Sequence, residues 1–139
     1  MSARAKSVLV VDDGPRVRQK LCEMLTREGD FDLCGEAVNG RDAIEKAQQL
    51  RPDLIIMDLS MPVMNGLEAV RILRSVMPST PIIMFSNYRD SFIEKLALSM
   101  GVAAVISILL KRPRADSSRI EITAATPMER ASFSVSLKS

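Results

Sequence analysis

Five short apolar runs punctuate the chain, and stretches with helical periodicity separate them. Val8-Leu9-Val10-Val11 is rich in β-branched residues and stops at Asp12, Asp13 and Gly14. Pro15 then suits the first turn of a helix with Val17, Leu21, Met24 and Leu25 on one face. Residues 31–37 read as a second strand, and Asn39-Gly40 opens a helix carrying Ala43, Ile44, Ala47 and Leu50. Pro52 blocks its continuation. Residues 54–57 form a third strand ending at Asp58, and the loop 60–66 leads into a helix with Leu67, Val70, Leu73 and Arg74. Residues 81–85 form a fourth strand. A helix over about 90–100 carries Phe92, Ile93, Leu96 and Ala97 and stops at Gly101; residues 103–106 form a fifth strand. Strands apolar on both sides need helices on both faces, so the expectation is α/β: a doubly wound, five-stranded parallel sheet with right-handed crossovers.

That pattern breaks after Ser107, where architecture calls for a fifth helix. Ile108-Leu109-Leu110 and the basic Lys111-Arg112-Pro113-Arg114 lead instead into a Ser/Thr-rich stretch. Ser118-Arg119-Ile120-Glu121 fits a capping box, with Ile120, Ala124 and Met128 as a thin apolar stripe limited by Pro127. Phe133, Val135 and Leu137 alternate like a short strand. By composition, a mostly irregular tail is the expectation. The domain reading is one domain over 5–110 and a basic tail over 111–139, with the fifth helix atypical or missing and no output domain.

Composition excludes several chemistries. The chain has 139 residues and no histidine, so a Ser-His-Asp triad, a Cys-His pair and a histidine metal site are all absent. Cys22 and Cys34 lie too far apart for a CxxC motif and read as two unrelated buried thiols. No nucleophile–base pair stands out, and the reading is that the chain is not an enzyme. The basic start leads into an apolar run of only four residues before Asp12-Asp13, too short for a secretory signal. No run approaches the roughly 18–20 residues of a membrane span. A cytoplasmic protein with no membrane partner is expected. Residues 1–110 hold 13 of 19 basic and 14 of 17 acidic residues, a net of −1, which leaves +3 on the tail. A near-neutral body argues against a nucleic-acid surface, and no helix-turn-helix fits in 111–139; direct DNA binding is disfavoured.

Three carboxylates fall at strand ends: Asp12 and Asp13 after the first strand, Asp58 after the third. In an open parallel sheet the ligand site lies at the carboxyl ends of the strands, where strand order reverses. In the order 2-1-3-4-5, strands one and three are neighbours there, so the carboxylates converge. Like charges that close need a neutralising partner, and a hard divalent cation with oxygen ligands, Mg2+ above all, supplies it. Taken singly, Asp12-Asp13 also suits a helix cap and Asp58 a strand end held by loop amides. Together with Ser86 at the end of strand four, packing alone does not account for them.

Residues 5–107 resemble the receiver domain of two-component response regulators. The segments that carry the resemblance are Val8-Leu-Val-Val-Asp-Asp13 and Pro52-Asp-Leu-Ile-Ile-Met-Asp-Leu-Ser-Met-Pro-Val-Met-Asn-Gly66. Gly35-Glu-Ala-Val-Asn-Gly40 is similar to the subgroup usually fused to a helix-turn-helix output domain. The resemblance implies a flavodoxin-like fold and a phosphorelay role. Asp58 would be the phosphoacceptor, forming an aspartyl phosphate from the phosphohistidine of a sensor histidine kinase or from a small donor. Asp13 would hold Mg2+ directly and Asp12 through water, with Asp58 and the backbone carbonyl of Ser60 completing the protein ligands. Ser86 would bond a phosphoryl oxygen and move on phosphorylation. Pro62 and Gly66 would shape the adjoining loop, and Ser60 and Tyr88 would tune the lifetime of the phosphoryl group.

Two positions depart from the family. Ile108 stands where the family places the lysine that pairs with the phosphoryl oxygens; Lys111, three residues on, is a flexible point charge that reaches in only if the chain bends, and the expectation is that it does not replace the lysine. Val105 stands at the aromatic switch position. Switching is therefore expected to be weak. Two readings compete with the phosphoacceptor: a pseudo-receiver serving as an interaction or dimerisation module, and the receiver part of a truncated DNA-binding regulator. The change of character at Ile108 fits a truncated gene, a frameshifted end, a fusion scar or a divergent tail. A homodimer is expected, formed through the sheet face that a fifth helix normally covers.

Overall fold

The computed structural model describes residues 5–29, 31–59, 64–86, 91–110 and 120–125. The expected alternation is present. The elements are β1 (Lys6–Val11), α1 (Pro15–Glu28), β2 (Phe31–Ala37), α2 (Gly40–Leu50) and β3 (Leu54–Asp58). They continue as α3 (Gly66–Val76), β4 (Ile82–Ser86), α4 (Ser91–Ser99), β5 (Ala104–Leu110) and β6 (Ile120–Ala125). Five strands run parallel in the order 2-1-3-4-5, as expected, and β6 joins β5 antiparallel as a sixth.

The helices start and stop for local reasons. Pro15 opens α1, where its missing N–H costs nothing, and Gly29 closes it at φ 73°. At α2, Asn39 accepts a hydrogen bond from the Asp42 amide at 2.8 Å, while Asp42 accepts from the Val38 amide at 3.1 Å. That reciprocal pair satisfies two amides the helix itself cannot. Asn65 caps α3 in the same way, accepting from the Glu68 amide at 3.0 Å.

Two apolar layers flank the sheet. On one face α2, α3 and α4 bury Leu9, Val11, Ile55, Met57, Ile82 and Met84 against Ala43, Ala69, Val70 and Leu73. On the other, α1 brings Leu21 and Leu25 onto Val8, Val10, Ile56 and Phe85. The strict inside–outside alternation of each strand explains why both sets are apolar. Cys34 packs on the first face and Cys22 on the second, both half-buried rather than buried. Burial pushes the Cys22 thiol up to about 11, which makes it a poor nucleophile at neutral pH.

The tail departs from the sequence reading. Residues 120–125, read there as part of a capped helix, are a strand paired from Val105↔Ala125 to Leu110↔Ile120. The reason is the edge. The apolar run after Ser107 prolongs β5 to Leu110, beyond the expected 106, and offers a row of unpaired backbone groups. Ile120, Ile122 and Thr123 are β-branched and suit that edge, whereas a helix limited by Pro127 would be too short to hold without a broad apolar face. The candidate strand around Phe133, Val135 and Leu137 lies outside the described residues. Among the described residues no helix follows β5.

Candidate functional site

Strand register places the acidic residues. β1 is paired on both sides, with β2 and with β3, and its residues Val8 to Val11 are fully buried. Val11 lies opposite Met57, so the next residues, Asp12 and Asp58, stand side by side at the end of the sheet. Oxygens of Asp12, Asp13 and Asp58 all lie within 4.8 Å of one another. Asp12 is only 3% exposed, Asp58 half-buried and Asp13 exposed. Asp12 stays in place because its amide bonds the Ala37 carbonyl at 3.0 Å and its carboxylate accepts from the Gly14 amide at 2.7 Å.

Electrostatics oppose this arrangement. Burial pushes Asp12 up to about 6 from 3.8, against the Gly14 hydrogen bond that favours its charge. The neighbouring Asp13 adds to the rise, and Arg18 opposes it. A buried carboxylate beside two more has the oxygen-rich, anionic chemistry that a hard divalent cation satisfies. The residues present therefore fit Mg2+.

The remaining expected positions divide. Ser86 ends β4 one residue beyond Phe85, which lies opposite Asp58, so its backbone is at the same end of the sheet. Gly66 packs directly on the end of β3. A Cβ there would stand 2.5 Å from the Asp58 carbonyl oxygen and 3.0 Å from Leu59 Cα, and backbone cannot step aside cheaply. Val105 is buried, opposite Met84. Ile108 lies in β5 opposite Ile122 of β6. Ser60, Pro62, Tyr88 and Lys111 lie outside the described residues. Sequence reading missed Arg18 and Glu36, which sit behind Asp12. The helical spacing of Arg18 from Gly14 was the available signal.

An open parallel sheet of order 2-1-3-4-5 with clustered carboxylates at its first and third strands defines a receiver-type domain. The sequence model of the response regulator receiver domain matches residues 8–116, and the chain belongs to that family. Its relatives carry different outputs. It is 40% identical over 116 residues to protein-glutamate methylesterase/protein-glutamine glutaminase 4 of Hahella chejuensis, covering 82% of this chain and 30% of that one. It is 36% identical over 110 residues to the transcriptional regulatory protein LnrK of Bacillus subtilis, covering 79% of this chain and 49% of LnrK. Among solved structures it resembles the response regulator domain of Thermotoga maritima CheB at TM-score 0.71 and 36% identity, covering 75% of this chain and 78% of that domain. The chain thus spans about a third or less of the methylesterase relatives and about half of LnrK.

One sequence expectation is corrected by these relatives. The chain was read as no enzyme because it lacks a nucleophile–base pair, yet the methylesterase/glutaminase relatives are named for enzymatic activities. Their likeness to this chain covers only the receiver domain. Among the described residues, no helix is long and apolar enough to cross a membrane.

The Asp12 shift carries a stability prediction. Its folded value lies above the unfolded one, so the folded metal-free chain binds the extra proton between 3.8 and about 6. Stability is therefore highest below that window on this account and falls as pH rises through it. Asp12→Asn, which keeps an oxygen for the Gly14 amide, should raise the urea midpoint at pH 7.5 in EDTA and flatten the dependence between pH 4 and 6. An unchanged midpoint would contradict the cost assigned to that charge.

Proposed function

We propose that this chain is a phosphoacceptor receiver of a two-component system, with a sensor histidine kinase as donor and the cytoplasm as its compartment. The convergence of three carboxylates within 4.8 Å at the switch point of the sheet carries the reading. A carboxylate oxygen of Asp58 attacks the phosphorus of a phosphohistidine, the P–N bond breaks, and an acyl phosphate forms on Asp58. The absence of histidine from this chain fits a donor on another protein. Asp12, Asp13 and Asp58, with the Ser60 carbonyl, would hold Mg2+. Bound there, Mg2+ supplies charge neutralisation for the phosphoryl oxygens. Asp12 and Asp13 set the anionic pocket, Asp58 presents the nucleophile, and Ser86 receives a phosphoryl oxygen. Pro62 and Gly66 shape the loop, and Ser60 and Tyr88 tune the lifetime. Residues 5–110 form the functional unit.

Switching in this chain is weak. Moving a two-state equilibrium from 1:99 to 99:1 takes about 5.5 kcal/mol of differential interaction. Ile108 in place of a lysine and buried Val105 in place of an aromatic ring remove two sources of it. The pairing of Ile108 with β6 supports this, because it ties the strand end to the tail. Self-association has its own support. On the α1 side, Ile83 of β4 and Ile106 of β5 are only half-buried, and among the described residues no fifth helix lies over them. A second copy covering that face gives a homodimer.

Three outcomes are expected. Incubation with Mg2+ and acetyl phosphate should add one phosphoryl group by intact mass, and Asp58→Asn should abolish the addition; labelling that persists in the variant would refute the assignment. Ile108→Lys should enlarge the phosphorylation-dependent amide shift changes around Ser86, and identical changes would mean another cation already serves. Sedimentation at low micromolar concentration should show twice the 15.3 kDa chain mass, and a single 15.3 kDa species would exclude the dimer.

A further inference from the structure

Against the backbone of the acidic cluster lies a cation that the phosphoacceptor reading leaves without a task. Arg18, at the end of the first turn of α1, reaches back to the residue after β1. Its Nη1 donates to the backbone carbonyl of Asp12 at 2.9 Å, and its Nε donates to Glu36 Oε1 of β2 at 2.9 Å. The Arg18 side chain is 19% exposed and the Glu36 side chain 46%. Glu36 is tied in turn to α2, since Lys46 Nζ donates to its carbonyl and pairs with Asp42 at 3.2 Å. One planar guanidinium thus connects the turn that carries the acidic pair to the neighbouring strand.

We propose that Arg18 is the positioning residue of the acidic site: by clamping the Asp12 carbonyl against Glu36, it holds Asp12 and Asp13 in the geometry that binds a divalent cation. The inference rests on the phosphoacceptor reading and deepens it. The physical argument has two opposing parts. Arg18 is a positive charge close enough to lower the affinity of Asp12 for a proton, and it repels a metal cation by the same Coulomb interaction. If charge were its whole effect, removing it would tighten metal binding. The clamp acts the other way. Asp12 and Asp13 follow the last residue of β1, and Gly14 is the only residue between them and α1. Without the clamp, the turn keeps the Gly14 hydrogen bond to the Asp12 carboxylate and the Asp12 amide bond to Ala37, but its Asp12 carbonyl loses the side-chain tie to Glu36. Groups that orient metal ligands in this indirect way typically change affinity by about 10–100-fold.

Lysine does not replace the fork. It carries the same charge on a flexible stem and lacks the planar pair of donors that meets two acceptors in fixed directions.

The test is titration of the full chain with Mg2+ alone by calorimetry, for wild type, Arg18→Met, Arg18→Lys and Glu36→Leu, with thermal melts to confirm folding. Arg18→Met should weaken Mg2+ binding by about 10-fold or more. Arg18→Lys should fail to restore it, and Glu36→Leu, which keeps the Arg18 charge but removes its anchor, should also weaken it. Acetyl-phosphate labelling at saturating Mg2+ should stay near wild type, because the loss lies in metal affinity. Wild-type affinity or tighter binding in Arg18→Met overturns the inference while leaving the phosphoacceptor reading intact. Should Arg18→Met fail to fold, Glu36→Leu decides: unchanged affinity there overturns the inference. A wild-type chain that binds no Mg2+ removes the inference and the phosphoacceptor reading together.

Discussion

The buried central strand β1 is the constraint on which the remaining structure depends. Val8 to Val11 are shielded on both faces, by α1 on one side and by α2 to α4 on the other, and paired along both edges. A strand so enclosed cannot shift by one residue without turning every side chain to the opposite face. Its end is therefore fixed, and with it the place where the chain passes from apolar to acidic. Asp12 is carried into near-complete burial by the packing of the strand that precedes it.

The consequence is a local conflict between packing and electrostatics. Hydrophobic burial of the two layers holds the strand ends together, while Asp12, Asp13 and Asp58 repel one another at the common edge. The Gly14 amide and Arg18 favour the charged Asp12, and burial with Asp13 opposes it. The balance holds the Asp12 carboxyl above the ordinary carboxylate range. Stability given up at a strand end is characteristic of sites where charge is handled rather than of sites that only hold the fold.

At the far edge a different solution operates. β5 continues three residues past Ser107, the last to pair with β4, an overhang of about 10 Å, and β6 runs back along it. A strand satisfies the backbone groups of an edge but contributes little cover to the sheet's face. Ile83 and Ile106 accordingly stay half-buried on the α1 side, whereas Met84 and Val105, facing the three-helix layer, are buried. β6 closes an edge where the architecture called for cover over a face.

The fold and the acidic triad were legible because they rest on local, periodic signals. Apolar runs bounded by Gly14, Pro52 and Gly101 set the elements, and residues ending the first and third runs identified Asp12, Asp13 and Asp58. The strand at 120–125 was not legible, because Ile120 and Ala124 fit a helical stripe as well as a strand, and only the open edge of β5 selects between them. Arg18 and Glu36 were missed for a similar reason: an arginine in a helix and a glutamate in an edge strand look like solvated charges until α1 folds back on β1 and β2. By itself the sequence determined the alternating elements as far as the start of β5 and which carboxylates end the first and third strands, since those depend on neighbours a few positions apart. Tertiary structure alone decided how near the three carboxylates lie, which of them is buried, and which cation stands behind them, because each of those is set by strand register and by contacts between distant segments.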